Sequence, residues 1–239
     1  MFIGATAAPS PEPVTVDTAR ASAYWASAAA TRAAEEEARI DAQRVKVTIP
    51  PNRPARVLFS GDSLSDAWYA SKQTNGFRWI VAKGLAGKGP VEFVDTHKAG
   101  DRVQDIATRF EVPADIDVAV VELGTNDVIK GTDPEMFKQQ YNAYLTAIKA
   151  KSPKVGILCV GVWAVPGTAS AKADQTITEA CDAHGGKFAD IKSMYMRPGT
   201  RGPDKAPTWL GPADMAHPND TGHAMIAKQV LQRISITRS

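Results

Sequence analysis

Cysteine is scarce: Cys159 and Cys181 are the two in 239 residues, too few for the disulfide framework of a small secreted domain. Cys159 lies in the apolar run Val155-Gly156-Ile157-Leu158-Cys159-Val160. That context favours a buried thiol packing as a small apolar side chain, and leaves a bridge to Cys181 open. A long apolar run is also missing. No stretch reaches the roughly 18 residues a membrane-spanning helix needs. Nor is there a surplus of one charge: 28 basic side chains face 26 acidic ones, a net +2, so no footprint for nucleic acid or an anionic membrane emerges. The opening Met1 to Ala8 ends in small residues but lacks a basic leader and is short for a signal peptide. It leaves export open, with an exported or virion- or envelope-associated location favoured over a cytoplasmic one.

What is present divides into three stretches. Residues 1–16, with Pro9, Pro11 and Pro13, read as extended chain. Residues 17–49 read as an Ala-rich helical appendage. From a cap at Asp17 to about Arg44 the chain has neither Pro nor Gly, and alanine is the best helix former. Such a helix is about 40 Å long. Its large apolar residues are few: Tyr24, Trp25, Ile40 and Val45. Two readings stay open, a helix lying along the main domain, or a stalk or short coiled coil, over residues 17–45, for self-association or attachment.

Residues 50–239 form the main domain, after Pro50, Pro51 and Pro54. Apolar runs at 56–60, 91–95, 117–123, 154–160 and 187–190 read as five strands. Helical patterns at 76–87, 102–110, 134–150, 170–184 and 221–233 alternate with them. This alternation implies an α/β fold of right-handed crossovers around a parallel sheet. In such sheets functional groups gather at the carboxyl ends of the strands.

Polar motifs stand at those ends. Gly61-Asp62-Ser63-Leu64 follows the first strand. A serine there is a nucleophile only if a base takes its proton, and a tight turn entering a helix can aim backbone N–H groups at an oxyanion. Gly100 follows the second strand and can offer an unobstructed N–H. Asn126, in Gly124-Thr125-Asn126-Asp127, offers an uncharged amide donor to the same oxyanion. Near the C-terminus, Asp214-Met215-Ala216-His217-Pro218 spaces a carboxylate three residues before an imidazole. On a turn, that lets the acid fix the ring's tautomer while the other ring nitrogen faces the serine. His223 reads as structural, and Asp220 or Thr221 as the cap of the last helix. A metal site from Asp214, His217 and His223 is disfavoured, as no motif of the His-Glu-x-x-His type accompanies it.

Taken in order, these blocks resemble the SGNH hydrolases, the GDSL esterase/lipase family, from about Arg56 to Ile234. The resemblance implies a flavodoxin-like three-layer α/β/α fold with a central five-stranded parallel sheet. It implies ester hydrolysis through an acyl-enzyme, with no metal and no cofactor. Ser63, Asp214 and His217 become nucleophile, orienter and base, and Ser63, Gly100 and Asn126 the oxyanion donors. The partner implied is a small-molecule or glycan ester. The Gly- and Pro-rich stretch from Met194 to Pro212 reads as a loop over the substrate, with Trp209 and Trp163, and also Trp68, as cleft-lining candidates. No long apolar lid segment is visible, which favours short-chain or carbohydrate-borne acyl groups. The alternatives are an esterase module in a larger assembly, such as a phage tail or cell envelope, acting on a surface glycan or lipid, and a catalytically silent binding module on the same fold.

Overall fold

The first apolar run of the main domain shows how the sheet is built. In β2 (Ala55–Gly61), Val57 and Phe59 point to one face and Leu58 to the other, and all three are fully buried. Such a strand must lie inside a sheet covered on both faces. The computed structural model, which describes residues 18–238, places it there. β2 lies between β3 (Val91–His97) and β4 (Val118–Glu122), followed by β5 (Gly156–Val160) and β6 (Lys187–Ala189). The order is β3-β2-β4-β5-β6, and every pairing is parallel. The expected five-stranded sheet is thus present.

One face is covered by α2 (Phe77–Ala86) and α8 (Asp220–Gln232), whose Phe77, Val81, Leu85, Ile226 and Val230 meet Val57, Phe59, Val118 and Val120. The other is covered by α3 (Val103–Arg109), α5 (Pro134–Lys151) and α6 (Thr168–Ala183), whose Ile106, Tyr141, Leu145 and Ile177 meet Leu58, Ala119, Val121 and Ile157. These are the three layers of a flavodoxin-like α/β/α fold. Each fully buried side chain of this size contributes about 1.5–3 kcal/mol of transfer free energy. The strand order reverses between β2 and β4, so the crevice of the fold opens at their carboxyl ends.

Three local features differ from what the sequence pattern predicts. Cys159 and Cys181 form a disulfide with Cα atoms 6.2 Å apart, rather than leaving a free buried thiol. Both cysteines face the same core cluster from β5 and α6, which spacing in the sequence does not reveal. The N-terminal helix, α1, runs Thr18–Ala42 and has none of its residues buried. It stops short of Val45, which opens β1 (Val45–Ile49). Val-Lys-Val-Thr-Ile alternates β-branched with polar residues, a strand pattern, and β1 pairs in parallel with β9 (Ile234–Arg238). By its internal contacts the chain divides into two compact units, the second starting at Asp41. Gly156 makes room for β1, since a Cβ there would sit 2.3 Å from Val45 Cγ1. The last helix is capped by Asn219, which accepts from Gly222 N at 3.1 Å. Asp220 instead accepts from the Ser71 backbone N–H at 2.7 Å. The extended chain expected over 1–16 and the cap at Asp17 lie outside the described residues.

Candidate active site

Gly61 ends β2 because nothing larger fits. A Cβ there would lie 2.0 Å from Ser65 Oγ and 2.8 Å from Glu122 Oε2. The chain then turns tightly, with Asp66 N bonded to Asp62 O at 3.1 Å and Trp68 N to Ser63 O at 3.0 Å. Arg78 pins the turn by donating to Ser65 O at 2.9 Å and to Asp95 Oδ2 at 2.8 Å. Ala67 and Tyr69 take positive φ, +62° and +35°, a conformation that costs non-glycine residues energy and clusters at functional sites. It sets the Tyr69 ring edge-on to the His217 ring, centroids 5.1 Å apart, with Trp68 at 5.6 Å.

The structure brings Ser63, His217 and Asp214 together from opposite ends of the domain. His217 Nε2 is 3.0 Å from Ser63 Oγ, and His217 Nδ1 is 2.7 Å from Asp214 Oδ2. A carboxylate only accepts, so Nδ1 carries the proton and Nε2 is free to accept from the serine hydroxyl. The other oxygen, Asp214 Oδ1, takes the backbone N–H groups of Ala216 (2.9 Å) and His217 (2.8 Å). Partial burial pulls the Asp214 carboxyl upward, but these hydrogen bonds and the imidazole outweigh it, leaving the group below the ordinary aspartate value.

His223 takes no part. Its Nδ1 accepts from Phe77 N at 3.2 Å and its Nε2 donates to Trp68 O at 2.9 Å. Burial first of all pushes its pKa down to about 4, so the ring is a neutral brace behind the serine turn.

Asn126 opens α4 (Thr125–Ile129) directly after β4 and lines the cleft beside Ser63 and His217. Its amide donates to Asp62 Oδ2 at 2.9 Å and to Asp101 O at 3.2 Å. Gly100, at φ +81° and with open space where a side chain would start, sits on the loop after β3. Lys98 N ties this loop to Gly61 O at 3.1 Å, and Ala99 N ties it to Asp66 Oδ2 at 3.0 Å. Asp66 also pairs with His97 Nδ1 at 2.8 Å.

Two carboxyls lie buried under the serine turn: Asp62, inside the Gly61-Asp62-Ser63-Leu64 motif, and Glu122, which carries no motif in the sequence. Asp62 is raised by burial, against hydrogen bonds from Leu64 N, Asn126 and Ser63. Glu122, fully enclosed at the end of β4, is raised well above the glutamate value, by burial and then by the neighbouring Asp62 charge. Its Oε2 accepts from Ser65 Oγ at 3.0 Å. Burial acts on both, and Glu122, which receives fewer hydrogen bonds than Asp62, is the carboxyl driven further toward its protonated form. Glu122→Gln, a neutral replacement of like size, is therefore expected to keep the wild-type melting temperature within a few degrees. Glu122→Ala strips Ser65 of its acceptor and opens a cavity, a loss of about 2–4 kcal/mol. Thermal unfolding of the two variants checks both. The available signal is a single acid closing the apolar run Val118-Ala119-Val120-Val121.

The cleft has a volume of about 310 Å³ and apolar walls from Leu64, Val128, Ile129, Trp163, Val165 and Tyr195. Trp163 lines it, held by Nε1 donating to Ala216 O at 2.8 Å and by its backbone N–H on Thr125 Oγ1 at 3.0 Å. Trp209 does not line it. Its indole donates to Ala67 O at 2.8 Å, so it braces the serine turn from outside, on the connection between β7 (Pro207–Thr208) and β8 (Gly211–Pro212).

A sequence model described as the GDSL-like lipase/acylhydrolase family matches residues 59–225. No curated protein sequence matches the chain. Among solved structures, TesA is 21% identical, covering 73% of this chain and 95% of its own, with a TM-score of 0.59. A mutant of Axe2, an acetyl-xylooligosaccharide esterase from Geobacillus, is 17% identical, covering 77% and 96%, with a TM-score of 0.60. The SGNH-hydrolase family esterase AlinE4 is 22% identical, covering 67% and 89%, with a TM-score of 0.56. At these identities the likeness is one of fold.

Proposed function

The chain belongs to the GDSL-like lipase/acylhydrolase family, and from that premise we propose that it hydrolyses carboxylic esters through an acyl-enzyme on Ser63. The observation that carries this reading is the unbroken line Asp214 Oδ2, His217 Nδ1, His217 Nε2, Ser63 Oγ, spaced 2.7 and 3.0 Å, opening into an apolar cleft. Ser63 Oγ attacks the ester carbonyl as Nε2 takes its proton. The C–O bond to the alcohol then breaks, and His217 returns the proton to the leaving oxygen. Water, activated by the same nitrogen, cleaves the acyl-serine.

The backbone N–H groups of Ser63 and Gly100 and the amide of Asn126 stabilise the tetrahedral oxyanion. Both N–H groups of Asn126 are already engaged, on Asp62 and Asp101. The longer bond, to Asp101 O, is the one that yields, while the buried Asp62 keeps the amide oriented. Asn126→Ala is expected to lower kcat by about 10²–10³-fold and leave KM nearly unchanged, read from initial rates on one ester. An equal change in KM would instead make Asn126 a ground-state contact.

The acyl group takes the apolar cleft, and the alcohol leaves along Trp68 and Tyr69, whose half-buried rings suit the apolar faces of a sugar. A panel of p-nitrophenyl esters of rising length, run beside acetylated oligosaccharides and with fluorophosphonate labelling of Ser63, tests the reading. Folded protein that neither turns over any ester nor takes the label would end it.

A further inference from the structure

The residues from Asp214 to His217 belong to no helix or strand, so the turn that carries the base is held by side chains. Asp214 Oδ1 accepts from the N–H groups of Ala216 and His217. The carbonyls of the same two peptide units are taken from outside the turn. Arg201 Nη1 donates to Met215 O at 2.7 Å, and Trp163 Nε1 donates to Ala216 O at 2.8 Å. Each peptide between Met215 and His217 is therefore held at both its oxygen and its nitrogen. Trp163 is a cleft wall, whereas Arg201 is outside the cleft lining. Its guanidinium instead lies over the Tyr195 ring, 4.0 Å from the centroid. Tyr195 lines the cleft and meets Trp163 edge-on, with centroids 5.4 Å apart. The Arg201 backbone also bridges Pro218, the residue after the base. Its Nε is buried with no hydrogen-bond partner among the described residues. An arginine free to swing into water would not leave a donor in that state.

We propose that Arg201 is a positioning residue for the base, fixing the tilt of the Met215–Ala216 peptide so that His217 Nε2 stays in line with Ser63 Oγ. This rests on the esterase reading and adds to it a side chain that touches no reacting atom. The Asp214 carboxylate holds the two N–H groups at one point, but a peptide held only by its nitrogen can still rotate about that bond. Rotation carries the next Cα, and with it the imidazole, off the line to the serine. A displacement of about 1 Å at such a site costs about 10²-fold in rate. The donor to Met215 O removes that freedom, and the Tyr195 ring fixes the donor. A planar guanidinium can donate in its plane and stack by its face at the same time, which an ammonium group cannot. Arg201 and Trp163 in this way hang the base turn from the same aromatic wall that receives the substrate.

The test uses the full chain and p-nitrophenyl butyrate. Arg201→Ala is expected to lower kcat by about 10–100-fold and to leave KM within about twofold, because the cleft walls stay in place. Arg201→Lys, which keeps a donor but loses the stack, is expected to fall between the two. Millimolar guanidinium chloride, far below denaturing levels, is expected to raise the rate of Arg201→Ala at least about fivefold, with no gain from sodium chloride at the same ionic strength. A protein merely loosened by the substitution would not regain activity from a denaturant. Should Arg201→Ala not fold, Arg201→Met keeps bulk on the Tyr195 ring without a donor, and its rate is set against that of Arg201→Lys. A kcat within about threefold of wild type in the donorless variant overturns the role. So does a deeper loss that neither lysine nor guanidinium recovers. If the wild-type chain turns over no ester, the esterase reading fails by itself. Hydrogen exchange of the Ala216 and His217 amides then decides the positioning role: exchange faster by about tenfold or more in Arg201→Ala supports it, and equal rates remove it.

Discussion

Ser63→Ala lowers kcat on a p-nitrophenyl ester by about 10⁴–10⁶-fold, with the melting temperature held within a few degrees. The size of the loss follows from the geometry. Ser63 Oγ is the hydroxyl at the end of the Asp214–His217 line, and among the described residues no other hydroxyl or thiol is bonded to the same imidazole nitrogen. Alanine removes the attacking atom and leaves the oxyanion donors and the apolar walls untouched. Residual rate then comes from those groups alone, with water as the nucleophile. The fold survives because the turn is held by its backbone bonds and by Arg78 and Glu122, none of which uses the serine side chain. Retention of more than about one per cent of turnover, in protein free of wild type, would move the nucleophile elsewhere.

Asp214→Asn is expected to cost about 10³–10⁴-fold in kcat, and more than Asp214→Ala. The order is unusual for a conservative change, and the hydrogen bonds dictate it. Asp214 Oδ1 is claimed by two backbone N–H groups, those of Ala216 and His217. In the asparagine variant only the amide oxygen can satisfy them, so the NH₂ group must face His217 Nδ1. Nδ1 then becomes the acceptor, the proton shifts to Nε2, and the ring can no longer accept from Ser63. Alanine leaves a gap that water can fill from solvent, since the Asp214 side chain is 40% exposed, and water can accept from Nδ1. Rates for the two variants on one ester decide it. A faster asparagine enzyme would mean that the carboxylate does not set the tautomer.

Much of this is legible in the sequence for one reason: the chemistry follows strand ends, and strand ends can be read from apolar runs. Val57-Leu58-Phe59 before Ser63, and Val118 to Val121 before Asn126, put both residues on one rim by pattern alone. Asp214 and His217 are legible because three residues of turn bring them together locally. What stays hidden depends on contacts between distant segments. β1 is invisible because its partner, β9, lies 189 positions away at each rung, so its short alternating pattern has no visible mate. The disulfide requires knowing that β5 and α6 face each other. Trp209 over the substrate is an expectation from loop composition, which says nothing of which side of the Ser63 turn the loop lies on. Val128, Ile129 and Val165 carry no motif, since cleft walls are ordinary aliphatic residues until the fold puts them side by side.

The pairing of Val45–Ile49 with Ile234–Arg238 has a mechanical consequence. The strands run parallel in strict register, so a pull transmitted through α1 against the far end of β9 draws them past each other lengthwise. All the rungs then bear tension at once, as in a lap joint, instead of opening one by one like a zip. A tether at the amino-terminal side would load that joint first. The turn that holds Ser63, at the end of a strand in another sheet, would stay slack.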